Sequence, residues 1–448
     1  MPRPARSRPP VTNRAAPTRN RRRQLILDLW ARTHIDWGFA AARLSTELKE
    51  QRWLGSHERR EVFETIYGMV RQARRIDFAL GAELGRLPAG SRRELARYLA
   101  FHVLEGALSV EAARVELGDV DWTAVATVDA RIVRERDPAV RLGLTRSLPD
   151  WLARRLLEQY GGEADGLAAA LNERAPLTLR TNTLKTTRDG LLSRLLSDGV
   201  EATATRYAPH GITLAQRIDV WSLEAFKEGW FEAQDEGSQL VAEMVAPPPR
   251  GVVVDACAGA GGKTLAIGAM MESRGRLLAT DVDERKLEDL KKRARRAGLS
   301  SVQAVPTGPD VWPHEMAELY GKIDRLLIDA PCTGTGSLRR NPELRWRLAA
   351  ADVAAFAAEQ EQLAARAFDL LAPGGRLIYV TCSLLRAENE EVVEKLLGRF
   401  PGAELVRAAE ILGNGRALPL SDPTGTFLKP SPLKHGTDGF FAAVLRKR

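Results

Sequence analysis

Apolar residues along this chain repeat with two different periods. After Gln24, the positions Ile26, Leu29 and Trp30 open a stripe at helical spacing, which Val62, Ile66, Met69, Val70, Ile76, Phe78 and Leu80 continue, followed by Leu95, Leu99 and Val103. Steps of three and four residues return to one helix face, so the stripe predicts the core of an all-α bundle over residues 24–143. The run Leu177-Thr178-Leu179-Arg180-Thr181-Asn182 then reads as a strand and 189–196 as a helix, a small α+β module over 144–235.

From 236 to 448, short apolar runs alternate with helical patterns. Strands are expected at 251–255, 276–281, 323–329 and around Tyr379. Helices are expected over 265–270, over 283–297 with Gly298 as the stop, over 351–371 with Pro373-Gly374-Gly375 as the stop, and over about 388–400. This alternation is that of a doubly wound, mostly parallel sheet. The last apolar run, 439–445, suits an antiparallel edge strand, and Pro247-Pro248-Pro249 marks a stiff lead into the first strand.

Charge separates off one more region. The first 23 residues hold eight arginines and no acid, which equals the net charge of +8 and leaves 58 basic against 58 acidic groups in the rest. A Pro- and Arg-rich arm over 1–23 is expected to be disordered and drawn to phosphate. It lacks the apolar positions and serines of a transit peptide. At 448 residues and 44% apolar composition, the chain can build more than one core. Three cysteines make no disulfide framework and no apolar stretch reaches 18 residues. A soluble cytoplasmic protein is therefore expected, with no membrane partner and no assigned metal site.

All three cysteines follow predicted strands. Cys332 ends Asp329-Ala330-Pro331-Cys332, and Cys382 lies in Val380-Thr381-Cys382-Ser383. The carboxyl ends of strands in an open α/β sheet line the ligand crevice, so the two thiols can face one substrate. Either alone could be a core cysteine; together, each followed by a turn, they favour chemistry. The third lies in Asp255-Ala256-Cys257-Ala258-Gly259-Ala260-Gly261-Gly262-Lys263-Thr264, between a strand and a helix. Glycines there let a backbone approach its ligand and aim helix amides at it. A P-loop fails on spacing, because its first glycine would fall at Cys257. Asp281 ends the next strand 22 residues after Gly259, close to the roughly 20-residue offset of a ribose-binding acid. A ribose-bearing ligand is expected, and spacing leaves NAD and S-adenosylmethionine both open.

In order and spacing, the segments Asp255 to Thr264, Asp329-Ala330-Pro331-Cys332, Pro373-Gly374-Gly375 and Thr381-Cys382-Ser383 closely resemble the Sun family of RNA cytosine-5 methyltransferases, above all its bacterial small-subunit ribosomal RNA branch. The likeness extends back through Trp230 to Gln239 and Leu179-Arg180-Thr181-Asn182-Thr183, and covers nearly everything after about residue 24. It implies a Rossmann-like S-adenosylmethionine-dependent methyltransferase domain over 236–448, preceded by an all-α NusB-like RNA-binding domain and the small α+β module. It also implies residue roles. Cys382 would attack carbon 6 of cytosine and Cys332 would assist product release; DNA cytosine methyltransferases use the Pro-Cys thiol instead, and the Thr-Cys-Ser motif decides for Cys382. Asp329 would meet the base near N3, or the cofactor, and Lys263 would support the thiolate. The loop Cys257, Ala258, Gly259, Ala260, Gly261, Gly262 and Lys263 would hold S-adenosylmethionine, with Asp281 on its ribose. RNA would be gripped by Arg180 and Asn182 of the module, and Arg71, Arg74 and Arg75 cluster near one polar face of the bundle.

Two departures accompany the resemblance. The family loop commonly reads Cys-Ala-Ala-Pro-Gly-Gly-Lys, whereas Gly259-Ala260 stands here in place of Ala-Pro. Where the family has an acid for the adenine, this chain has Thr307, with Asp310 three residues on. The expected substrate is small-subunit ribosomal RNA, with another RNA such as transfer RNA as the alternative, and the expected state is a monomer. A NusB-like assembly factor with a vestigial catalytic half is the reading from another class; intact Cys332, Cys382 and Lys263 speak against it.

Overall fold

The computed structural model describes residues 15–448, with side chains from Asn20 onward, and divides into two compact units, Met1–Arg154 and Arg155–Arg448. The described part of the first unit is helical. Its longest helix, Ser56–Ala79, buries Val62, Ile66, Met69, Val70, Ala73 and Ile76 along one face. Ile26, Leu29, Trp30, Leu99 and Val103 complete that core. Phe78 and Leu95 fit the stripe by spacing but are only half-buried. Phe78 instead carries the Arg131 guanidinium 4.6 Å from its ring centre.

Three expectations change here. The first helix is Ala15–Ile35, so residues 15–23 are helical rather than a disordered arm; residues 1–14 of the arm lie outside the described residues. The reason is that its arginines have tertiary partners: Arg22 meets Glu61 at 3.2 Å, Arg23 meets Glu116 at 2.7 Å, and Arg21 sits 4.4 Å from the Trp53 ring centre. Arg74 and Arg75 are likewise tied to carboxylates, Asp150 at 2.6 Å and Asp129 at 2.8 Å. The boundary expected at 143 falls inside the helix Pro138–Arg146, which Asp137 caps.

The second unit holds two sheets. The strands β1 (Thr178–Thr181), β2 (Ala202–Ala204), β3 (Gly211–Leu214) and β4 (Phe231–Ala233) form an antiparallel sheet in the order β2-β3-β1-β4. Leu191 and Leu195 of the helix Arg188–Ser197 pack on it with Leu179, Ile212 and Phe231. The larger sheet comprises β5 (Val252–Asp255), β6 (Arg276–Asp281), β7 (Val302–Pro306), β8 (Ile323–Asp329), β9 (Leu371–Thr381), β10 (Ala403–Val406) and β11 (Phe441–Lys447). Its order is β10-β11-β9-β8-β5-β6-β7, with β5 to β9 parallel.

Side chains alternate between two cores, one on each face. Leu327, Ile378 and Val380 enter one; Leu326, Ile328, Leu377 and Tyr379 enter the other. Strands buried on both faces read as continuous apolar runs, and these do. The sheet reverses direction of growth at β5, which has β8 on one side and β6 on the other, and ligands of such sheets bind at the carboxyl ends around that point.

The last strand, β11, is antiparallel as expected but internal, because the short β10 covers its outer side. Pro373-Gly374-Gly375 does not cap the long helix, which ends at Asp369; it forms the irregular start of β9. A Cβ at Gly375 would lie 2.6 Å from the Ile323 carbonyl oxygen, so the close pairing with β8 requires glycine there. No described helix is long and apolar enough to cross a membrane.

Candidate active site

The glycine loop leaves β5 at Asp255 and enters the helix Gly262–Met270. Gly259 and Gly261 both have positive φ, 54° and 86°, which a side chain would strain. The loop is fastened from several directions. The Ala258 amide donates to the Thr280 carbonyl at 2.9 Å and the Gly259 amide to Asp281 Oδ2 at 2.8 Å. Arg293 Nη1 donates to the Ala260 carbonyl at 2.6 Å, and Arg180 Nη1 to the Gly262 carbonyl at 2.6 Å. Arg293 is itself held by the buried Glu232 at 3.0 Å, which also pairs with Arg296. Stiffness that a proline would give the loop is thus supplied by bonds to its carbonyl oxygens.

Asp255, beneath the loop, accepts from Thr264 Oγ1 at 2.7 Å. Burial first, with Asp329 adding, pushes its carboxyl up to about 7. Cys257 is no reactive thiol: burial, then the charges of Asp255, Asp329 and Asp281, push it far above the ordinary range. Asp281 is nearly buried, and its Oδ1 accepts from the Asp283 amide at 2.9 Å.

The two remaining cysteines meet. Cys332 follows β8, Cys382 follows the neighbouring β9, and their sulfurs are 3.4 Å apart. The Cys332 thiol is pushed well up, first by its hydrogen bond with Cys382 and then by burial. Lys263 Nζ reaches Asp329 Oδ2 at 2.6 Å and lies 5.2 Å from the Phe440 ring centre. Burial works against the Lys263 ammonium, but Asp329, with Cys382 and Asp255 adding, outweighs it and raises the group. Two thiols, a lysine–aspartate pair and a glycine loop therefore share one end of the sheet. Among the described residues, no group of three or more His, Cys, Asp or Glu is placed to hold a metal ion.

Other expected residues sit elsewhere. Thr307 ends beside Asp281, its amide donating to the Asp281 carbonyl at 3.1 Å, but its hydroxyl turns back to the Val311 carbonyl at 2.9 Å. Asp310 is exposed. Asn182 donates both amide hydrogens to backbone carbonyls, Gly229 and Ala297, each at 2.8 Å. Arg180 is buried, pulled down to about 10 by burial, and bonded to Gln234 and Gly262. The side chains of both are bonded within the protein, Arg180 tying the small sheet to the helix Gly262–Met270 and Asn182 tying it to the helix Glu284–Ala297. All four residues of β1, Arg180 among them, are buried, and so is Asn182 directly after the strand.

Sequence reasoning missed a buried polar layer under the thiols. Glu388, Gln360, Thr333, Ser383 and Asn389 are bonded to one another there, and the Tyr379 hydroxyl lies 3.0 Å from Gln360 Oε1. The one available signal was the polar Thr381-Cys382-Ser383 at the end of an apolar strand.

Comparison with known proteins agrees with this geometry. Residues 242–446 match the family described as 16S rRNA methyltransferase RsmB/F, and 148–221 match the ferredoxin-like domain of RsmF/B-like methyltransferases. A probable ribosomal RNA small subunit methyltransferase B of Synechocystis is 32% identical over 88% of this chain and 92% of its own length. The ribosomal RNA small subunit methyltransferase B of Pseudomonas syringae is 34% identical over 70% of this chain and 68% of its own. Among solved structures, PH0851 is similar with a TM-score of 0.73 at 26% identity, over 89% of this chain and 93% of that one. A methyltransferase homologue from Pyrococcus horikoshii has a TM-score of 0.59 at 28% identity, over 69% and 99%. The chain belongs to the RsmB/F family of 16S rRNA methyltransferases.

Proposed function

We propose that this protein is an S-adenosylmethionine-dependent cytosine-5 methyltransferase of small-subunit ribosomal RNA that works through a covalent bond from Cys382 to the base. One observation carries the reading: two thiols 3.4 Å apart, at adjacent strand ends beside the Lys263–Asp329 pair. Carbon 5 of cytosine is a poor nucleophile, and the bond from Cys382 Sγ to carbon 6 makes it a good one. The ring electrons displaced by that bond move toward N3. The lysine–aspartate pair is the proton-bearing group suited to neutralise charge there.

The residues also fit the methyl donor. A Cβ at Gly259 would meet nothing within 4 Å, so the loop borders open space, and each Asp281 oxygen keeps a lone pair for a ribose hydroxyl. Bound on this loop, S-adenosylmethionine would supply an electrophilic methyl group to carbon 5. Release breaks the carbon 5–hydrogen bond: the proton passes to a water molecule, its bonding electrons restore the ring double bond, and the carbon 6–sulfur electrons return to Cys382. Cys332, held protonated, is placed to donate a hydrogen bond to the departing sulfur. The helical unit would hold RNA from its polar faces, as in the NusB-like reading.

The test is Cys382→Ala in purified protein. Methylation, mapped on RNA by bisulfite sequencing, should vanish while S-adenosylmethionine binding measured by calorimetry is kept. Full activity would remove Cys382 as the nucleophile, and methylation at a ring position other than carbon 5 would refute the chemistry.

A further inference from the structure

The residues that follow the two cysteines are held by one side chain. Thr333 follows Cys332 and Ser383 follows Cys382. The carboxylate of Glu388 accepts from Thr333 N at 2.8 Å, Thr333 Oγ1 at 2.6 Å, Gln360 Nε2 at 3.2 Å and Ser383 Oγ. Glu388 is fully buried, and all of these donors are neutral. Its backbone is fixed as well, since Tyr379 donates to its carbonyl at 2.5 Å. The same layer ties the two cysteine loops directly. Gly336 N donates to the Cys382 carbonyl at 2.8 Å, Leu384 N to Thr335 Oγ1 at 2.9 Å, and Gln360 Nε2 to the Pro331 carbonyl at 2.8 Å.

As a mere clamp this is an expensive choice. Burying a carboxylate without a cation is unfavourable and is offset here only by its hydrogen bonds, and a neutral amide satisfies most of the same donors. The charge must therefore do something that the hydrogen bonds do not. Two sulfurs 3.4 Å apart cannot both be ionised, so the pair needs an element that decides which one stays protonated.

We propose that Glu388 is the positioning residue of the thiol pair: it fixes the two cysteine loops on one carboxylate, and its charge keeps Cys332 as the protonated member. This rests on Cys382 being the nucleophile, as proposed above. The titratable groups that act on Cys332 are Cys382, Glu388 and the Tyr379 phenol, while the Lys263 ammonium acts on Cys382. Tyr379 stays neutral, its phenol pushed up by burial and then by Cys332 and Glu388. Glu388 acts on Cys332 in the same sense as Cys382 and burial do. When Cys382 is bonded to the base, its influence on Cys332 ends and that of Glu388 remains. Cys332 is then still a proton donor at the moment Cys382 must leave.

The experiment uses the full-length protein, with Cys332 alkylation by iodoacetamide followed against pH in a Cys382→Ser background and located by peptide mass. Glu388→Gln keeps the shape, with its carbonyl toward Thr333 N and Gln360 and its amide toward the two hydroxyls, which can turn to accept. It should lower the pH midpoint of Cys332 alkylation by about one unit or more. With Cys382 intact, Glu388→Gln should lower kcat at least about tenfold and leave KM for RNA and S-adenosylmethionine within about twofold, as expected when an interaction acts on chemistry and not on binding. Glu388→Asp keeps the charge and should leave the midpoint near that of the unsubstituted side chain. An unmoved midpoint in Glu388→Gln overturns the inference, and so does an equal shift in Glu388→Asp, which would trace the effect to lost hydrogen bonds. Either result together with a dead Cys382→Ala would overturn this inference alone. An active Cys382→Ala would instead overturn the reading beneath it.

Discussion

The glycine loop and the thiol loops lie at the same end of the sheet and are fastened by different sets of bonds. Cations hold the glycine loop by its carbonyl oxygens, Arg293 at Ala260 and Arg180 at Gly262. An anion holds the thiol loops by their N–H and O–H donors, Glu388 at Thr333 and Ser383. The peptide on the Ala260 carbonyl turns its N–H, that of Gly261, back to the Ala258 carbonyl at 2.9 Å, while the peptide on the Gly262 carbonyl places the Lys263 N–H in the first turn of the helix Gly262–Met270, an end suited to electronegative groups. A loop fastened by its donors, with the residue after each cysteine pinned, instead fixes side chains. On the function proposed above, the cofactor would be bound largely by backbone on one side of the cleft and the base would react with side chains on the other.

The largest break in this contrast should come from Glu232→Ala, because it leaves Arg293 and Arg296 without their shared carboxylate. Removing one partner of such a buried cluster costs about 3 to 5 kcal/mol, and the partial exposure of both arginines places this case near the lower figure. Urea unfolding should show it, while the reactivity of Cys332 and Cys382 should be little changed. Next in size is Asp281→Ala, which should weaken S-adenosylmethionine binding by about 1 to 3 kcal/mol by freeing the Gly259 amide and unpairing the ribose hydroxyls. Calorimetry decides, and an unchanged dissociation constant would mean that Asp281 serves only the loop.

Asp255 sharpens the comparison through pH. Its carboxyl is raised by burial to about 7, above its unfolded value, so the protonated form is favoured in the folded protein. The stability it contributes is fully present below the unfolded value and is lost as pH rises toward 7. The slope is about 1.4 kcal/mol per pH unit at most. Asp255→Asn, which keeps an acceptor for Thr264 Oγ1, should flatten that dependence between about pH 4 and 7 in unfolding measured across pH.

Much of the site was legible in the sequence, for reasons that can be named. Cys332, Cys382 and Asp281 follow apolar runs, and strand ends of a parallel sheet converge. Glu388 was hidden, since it opens the run Glu388-Asn389-Glu390-Glu391, which reads as the acidic start of a helix; nothing local marks which acid turns inward. Arg180 and Asn182 misled for the opposite reason. Polar residues in a short strand suggest an open face, but β1 lies between β3 and β4 and is buried throughout, as is Asn182 just after it, so their polar atoms are bonded inside the protein, to Gln234 and to the carbonyls of Gly229, Gly262 and Ala297. Gly259-Ala260 looked like a loop missing its stiffener, and the stiffener is Arg293, 33 residues away along the chain.

Covalent trapping tests most directly whether the two thiols in contact have unequal roles. Cys332→Ala protein, incubated with S-adenosylmethionine and small-subunit ribosomal RNA, should accumulate a protein–RNA adduct seen as a slow band on a denaturing gel, because Cys382 still attacks and release is impaired. The double variant with Cys382→Ala should give no band. An adduct that forms when Cys382 is replaced, and disappears when Cys332 is replaced, would contradict the assignment and exchange the roles of the two cysteines.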